Sequence, residues 1–226
     1  MPRSPSSSNK SDQLGFTHRF IPSRGENDKT GLTLLLLHGT GGNEDDLLPL
    51  GRELDLNAGV ISPRGKTLEA GRIPRFFRRL AEGIFDIEDL KFRTHELAGF
   101  VEKASKVYGF DARKVVTVGY SNGANIAASM LLLTPQTLSG AILFRAMVPL
   151  TPDNLPDLSD KHIFMSSGLR DPIATKQEAE TLSGLLKQAH AVVDLQWQDS
   201  GHELIQDDIQ AAKEWLLLLK KEKKQL

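Results

Sequence analysis

Gly119-Tyr120-Ser121-Asn122-Gly123 follows an apolar, β-branched run at residues 114–118 and precedes a small-residue run at 124–133 that reads as a helix. The pattern is G-x-S-x-G between a strand and a helix, and that context turns a short motif into a mechanism. A serine on so tight a turn takes a strained backbone conformation that pushes its hydroxyl into the open. Glycines two residues to either side remove side chains that would collide across the turn. The Asn122 N–H falls at the helix start, where unpaired donors and the helix dipole favour negative charge. The segment supplies a candidate nucleophile, Ser121, and half of an anion-stabilising site.

The other half is sought upstream. Residues 34–37 form a fully apolar run ending in His38-Gly39-Thr40-Gly41-Gly42-Asn43. Such a run suits a central parallel strand buried on both faces, and the glycine-rich stretch at its carboxyl end can present a second backbone donor. Thr40, directly after His-Gly, is the best candidate for it. A phosphate cradle is the competing reading, but no Gly-Lys-Ser/Thr follows and the spacing does not make G-x-G-x-x-G. His38 reads as a residue that holds this loop, not as a base.

Downstream, a strand over residues 162–167 is followed by Gly168-Leu169-Arg170-Asp171-Pro172. An Asp just past a strand end is placed to orient a histidine; capping the segment from Ala174 is its alternative use. His202 lies in Ser200-Gly201-His202-Glu203, after the strand expected at 192–197 and before an amphipathic helix at 204–219. The other histidines fit a base less well. His18 precedes the first buried strand, His95 and His190 fall on polar helical segments, and His162 opens a strand at the wrong end of the sheet. By position and elimination His202 is the candidate base, and the chain order is Ser121, Asp171, His202.

Taken together, Leu37 to Asn43, Ser62-Pro63-Arg64-Gly65, Arg75-Phe76-Phe77-Arg78-Arg79, Gly119 to Asn125, Met147-Val148-Pro149, Asp171-Pro172 and Gly201-His202 resemble a known family. The chain is similar to the carboxylesterase/phospholipase branch of the α/β-hydrolases, small lidless relatives of dienelactone hydrolase and acyl-protein thioesterase. The resemblance runs from about residue 17 to the C-terminal helix and includes a bacterial-type esterase subgroup associated with quinone stress. It implies an α/β-hydrolase fold, a mostly parallel central sheet with helices on both faces and no separate cap domain. It also implies a serine hydrolase of small, short-chain carboxylic esters with no cofactor and no metal, and it allows a homodimer. Thioesterase, lysophospholipase and lactone hydrolase activities use the same machinery, and a non-catalytic binding protein on this fold is the reading from a different class.

Composition agrees with such a domain. The chain has 226 residues, with 28 basic against 29 acidic side chains, so nothing suggests a nucleic-acid surface. It has no cysteine, which excludes disulfides, thiolate zinc sites and a cysteine nucleophile. No signal peptide is apparent and no hydrophobic run approaches a membrane span, so a cytoplasmic protein away from membranes is expected. Residues 1–14 are polar and of low complexity and read as a flexible tail, leaving a single domain over 15–226. Apolar runs then alternate with helical patterns, the clearest helix at 90–108, which indicates a parallel sheet covered on both faces. Lys220 to Lys224 reads as a solvated basic helix end.

Two features bear on substrate. Only a short connection separates the strand ending near Met147 from the one at His162, too little chain for a helical cap, so an open site is expected. The stretch from Pro63 to Asp89 is long for a connection and mixes arginines with Phe76, Phe77 and Phe85. Long ordered loops usually serve a site, so this one is expected to wall the pocket, with Phe76, Phe77, Arg78, Arg145 and Met147 as candidate contacts for a small-molecule ester. An arginine that recognises a substrate carboxylate is the sharper alternative. Pairing with Asp86, Glu88 and Asp89 is favoured because those acids are close at hand. Ala146 follows Arg145 where related sequences often carry proline, which leaves open whether the local backbone matches theirs.

Overall fold

The computed structural model describes residues 14–24 and 31–222. The expected tail lies outside these residues except for its last member, Leu14, which is buried in the core at 6% exposure.

In chain order, β1 (His18–Ile21), β2 (Thr33–Leu37), α1 (Leu48–Leu54) and β3 (Gly59–Pro63) come first. Two small hairpins follow, β4 (Thr67–Glu69) with β5 (Ile73–Arg75) and β6 (Arg79–Ala81) with β7 (Ile84–Phe85). Then come α2 (Ile87–Tyr108), β8 (Val115–Tyr120), α3 (Asn122–Leu133), β9 (Gly140–Phe144), β10 (His162–Gly168), α4 (Lys176–Gln188), β11 (Val192–Gln198) and α5 (Gln206–Glu222). The main sheet has seven strands in the order β1-β3-β2-β8-β9-β10-β11. Only β1 is antiparallel to its neighbour; every other pair is parallel. This is the α/β-hydrolase architecture.

The apolar runs are continuous because both faces of the sheet are covered, and the pleat sends alternate residues to opposite sides. Leu35, Leu37, Val115, Leu143, Ile163 and Met165 join the core under α2, α3 and α4. Leu34, Leu36, Val116, Val118, Ile142, Phe144 and Phe164 join the core under α1 and α5. All of Leu34 to Leu37 are fully buried, each contributing about 1.5–3 kcal/mol by transfer from water. Local signals set the helix ends: Asp86 caps α2 by accepting from the Asp89 N–H at 3.1 Å, and Gly109, at φ 79°, closes it.

The Pro63–Asp89 stretch is not an irregular loop. Its two hairpins turn through residues of positive φ, Ala70 and Gly71 in the first and Gly83 in the second. Residues 145–161 carry no helix, so no helical cap is inserted between β9 and β10.

Candidate active site

The carboxyl ends of the parallel strands gather the candidate residues, where open α/β sheets bind ligands. Ser121 follows β8 in the middle of the sheet, with φ 52° and ψ −116°. A residue with a side chain reaches that conformation only under constraint. Both sides supply one: the Ser121 N–H donates to the Phe144 carbonyl, and the Ser121 carbonyl accepts from the Asn125 N–H, each at 2.9 Å. The flanking glycines are obligatory, since a Cβ on Gly123 would lie 1.9 Å from the Leu37 carbonyl oxygen and one on Gly119 would lie 2.6 Å from the Ala124 Cα.

His202 sits on the loop between β11 and α5. Its Nε2 is 2.9 Å from Ser121 Oγ, and its Nδ1 is 2.8 Å from Asp171 Oδ2. Asp171, past the end of β10, uses its other oxygen on the backbone: Oδ1 accepts from Ile173 N–H at 2.8 Å and Ala174 N–H at 3.0 Å. The two uses weighed for this aspartate therefore coexist, one per oxygen. With Oδ2 as acceptor the imidazole carries its proton on Nδ1, and the Nε2 lone pair faces the serine. The Asp171 side chain is wholly buried while that of His202 is 20% exposed, so the acid end of the chain of hydrogen bonds is shielded and its central imidazole meets solvent.

Asn122 adjoins the serine in the chain, and Thr40 lies in the loop after β2, the strand paired with β8. Asn122 is the first residue of α3, so its N–H belongs to the unpaired donors of that helix start. Among the described residues the Thr40 N–H has no partner, whereas its neighbours are tied down. Gly41 N–H donates to the Pro74 carbonyl at 2.9 Å, Gly42 N–H to the Gly39 carbonyl at 3.1 Å, and Arg75 Nη1 to Thr40 Oγ1 at 2.7 Å. His38 braces the same loop: Nδ1–H donates to the Gly39 carbonyl at 2.7 Å, and Nε2 accepts from Gly65 N–H at 2.9 Å. Burial pushes its pKa below the ordinary histidine value, consistent with a neutral ring whose two nitrogens are both in use.

The expected pocket residues divide. Phe76 and Phe77 are buried at 2% and 0% exposure and belong to the core, which corrects their reading as pocket walls. The Phe76 ring packs on His38 at 4.7 Å and the Phe77 ring edge-on to Phe85 at 5.1 Å. Arg145 is also corrected: it is wholly buried in an ion pair with Asp208 at 2.7 Å and reaches no open surface. Arg78 is exposed and pairs with Asp86 at 2.6 Å. Among the other loop arginines, Arg64 holds Glu44, and Arg75 and Arg79 share Glu69. Met147 is half-buried, its methyl 3.9 Å from where a side chain on Gly83 would begin, so it meets the β6–β7 turn.

Several side-chain roles were not read from the sequence. Asn122 Oδ1 accepts from the Phe76 N–H at 2.7 Å and Asn125 Oδ1 from the Met147 N–H at 2.8 Å, stapling both flanking segments to the serine turn. Two asparagines inside an otherwise apolar helix were the available signal. Tyr120 donates its hydroxyl to the His202 carbonyl at 3.0 Å. Beside it an open cavity of about 320 Å³ is lined by Thr40, Leu47, Tyr120, Glu203 and Leu204 among others. Among the described residues no group of three or more His, Asp or Glu could hold a metal ion, and no helix is long and apolar enough to cross a membrane.

Comparison with known proteins agrees with this fold. The profile of the phospholipase/carboxylesterase family matches residues 23–220. The Bacillus subtilis (strain 168) protein MhqD, a hydrolase by name, is 47% identical over 197 residues, 87% of this chain and 96% of that one. The crystal structure of a Bacillus cereus carboxylesterase superposes with a TM-score of 0.86 at 48% identity, covering 91% of this chain and 95% of the other. A Mesorhizobium loti carboxylesterase superposes at 0.81 with 30% identity, covering 90% and 95%.

Proposed function

The chain belongs to the phospholipase/carboxylesterase family of α/β-hydrolases, and from that premise we propose that it hydrolyses small, short-chain carboxylic esters through an acyl-Ser121 intermediate. The observation that carries the reading is the unbroken line of hydrogen bonds from Asp171 through His202 to a serine held in a strained conformation.

Each atom in that line has a task. His202 Nε2 takes the Ser121 proton as Oγ attacks the ester carbonyl carbon. Asp171 holds the imidazole in the tautomer that can do so and stabilises the imidazolium formed. The carbonyl oxygen becomes an oxyanion facing the N–H groups of Thr40 and Asn122; losing one such donor costs about 10²–10³ in rate. The carbon–oxygen bond to the alcohol breaks, and His202 returns its proton to the leaving oxygen. Water then gives a proton to His202 and attacks the acyl carbon, and Ser121 leaves with that proton.

An open site, which suits small esters, is supported by the helix-free connection at residues 145–161. Hydrolysis of a p-nitrophenyl ester series from acetate to palmitate, beside Ser121→Ala, tests the proposal. Expected is turnover that peaks at short chains and is lost in a folded Ser121→Ala. An active Ser121→Ala variant would sink the assignment, and a peak at long chains would redirect the substrate to lipid or acyl-protein esters. Matched oxo- and thioesters separate esterase from thioesterase activity on the same machinery.

A further inference from the structure

Arg145 is the largest wholly buried side chain of the protein's described residues, and its place next to the active site calls for a reason. Its backbone is itself constrained, at φ 55°, with its N–H on the Ser166 carbonyl at 3.0 Å. The guanidinium fork is fully used. Nε donates to the Gly201 carbonyl at 3.0 Å and Nη2 to the Glu203 carbonyl at 2.7 Å, so one planar group holds the peptide that precedes His202 and the one that follows Glu203. Nη2 also reaches Ser200 Oγ at 2.9 Å, and Nη1 reaches the Ser166 carbonyl at 3.1 Å. Asp208 closes the arrangement with two parallel bonds, Nη1 to Oδ1 at 2.8 Å and Nη2 to Oδ2 at 2.7 Å. It also accepts from Ile205 N–H at 2.9 Å and from the Ser166 hydroxyl.

The neighbouring peptide does the complementary work. Phe144, one residue before, offers the carbonyl that receives the Ser121 N–H. The serine turn and the histidine loop are thus both referenced to the Phe144–Arg145 pair, one through the backbone and one through the side chain. A buried ion pair is weak support for stability, because desolvation offsets most of the attraction and an apolar pair would fill the space as well. What an apolar pair cannot do is hold two carbonyls at a set spacing around a histidine.

We propose that Arg145, oriented by Asp208, is a positioning residue that sets the His202 imidazole on Ser121. The proposal rests on the Ser121–His202–Asp171 reading above. Lysine in its place keeps the charge but offers one nitrogen where the fork offers three, so it cannot span Gly201, Glu203 and Asp208 together.

The test uses the whole chain with Arg145→Lys and, carried alongside, the near-isosteric Asp208→Asn. A misplacement of about 1 Å costs on the order of 10² in rate. Expected is therefore a fall in kcat of about 100-fold with KM within about twofold, the pattern of lost transition-state positioning and not of lost substrate binding. Labelling of Ser121 by an organophosphonate should slow by the same factor. The His202 Nδ1–H proton resonance should weaken through faster exchange with water, while the melting transition stays cooperative. A folded Arg145→Lys with wild-type kcat and an unchanged proton resonance overturns the proposal. Loss of folding in both variants also overturns it, by assigning the pair to stability. Ser121→Ala separates the two levels: if it stays active the underlying reading fails, and if it is inactive while Arg145→Lys is fully active only the positioning role fails.

Discussion

Replacing Asp171 by asparagine changes one atom, and the surroundings dictate which way the amide must face. Oδ1 accepts two backbone N–H groups, from Ile173 and Ala174. An NH₂ turned toward them would leave both donors unpaired, at about 1–3 kcal/mol for the buried Ala174 N–H alone. The amide oxygen therefore takes that position and the NH₂ faces His202 Nδ1. Two N–H groups cannot share that contact, so the imidazole moves its proton to Nε2, a tautomer shift that costs far less than the alternative. Ser121 Oγ, 2.9 Å away, then meets a donor where it needs a base. A wrong tautomer with intact geometry costs about 10⁴ in kcat, which corresponds to about 5.4 kcal/mol of barrier. Steady-state hydrolysis of p-nitrophenyl acetate by wild type and Asp171→Asn, with a thermal melt of each, reads the effect. The melting temperature should move little, since the backbone hydrogen bonds survive. A folded Asp171→Asn enzyme within tenfold of wild type would refute both the tautomer argument and the role given to Asp171.

The glycines allow a paired stability test. Gly123→Ala would place a Cβ 1.9 Å from a backbone oxygen and should abolish soluble, cooperatively melting protein. Gly99→Ala, inside α2 with nothing within 4 Å of the added Cβ, should stabilise by about 0.5–1 kcal/mol through helix propensity. A tolerated Gly123→Ala would contradict the close approach of α3 to β2. His38 sets a pH dependence. Its folded pKa lies below the unfolded value, so the unfolded chain binds the extra proton on acidification. The corresponding stability is present in full above about pH 6.5 and lost as pH falls toward the folded pKa. Melting temperature measured from pH 8 to 5 should decline less in His38→Gln than in wild type; parallel curves would show that His38 carries none of the slope.

Much of the frame was legible because it depends on neighbours along the chain. The apolar run at 34–37 and the strand expected at 162–167 became β2 and β10; Leu34 to Leu37 are apolar throughout because a strand buried on both faces needs no polar residue along that stretch. The helix expected at 90–108 is α2, extended back to the Asp86 cap. The serine turn was legible from glycine spacing between a strand and a helix, since a side chain at Gly119 would strike the start of α3 and one at Gly123 would strike β2. The stretch between Pro63 and Asp89 was less legible: weak, short strands rich in arginine carry little periodicity, and their pairing into hairpins comes from turn residues such as Ala70 that do not announce a positive φ.

What the sequence determined by itself is local: the strand and helix pattern, the turn that exposes Ser121, and the order in which an acid and a histidine follow it. Tertiary structure decided which faces these residues present. Phe76 and Phe77 look like pocket aromatics beside their arginines, yet the Asn122 side chain holds the Phe76 N–H and both rings pass into the core. Arg145 looks like a substrate anchor until Asp208, 63 residues further on, meets it in the interior. The physical reason is range. Backbone strain and side-chain alternation act over a few residues, whereas the burial and pairing of a charge depend on what the folded chain brings against it.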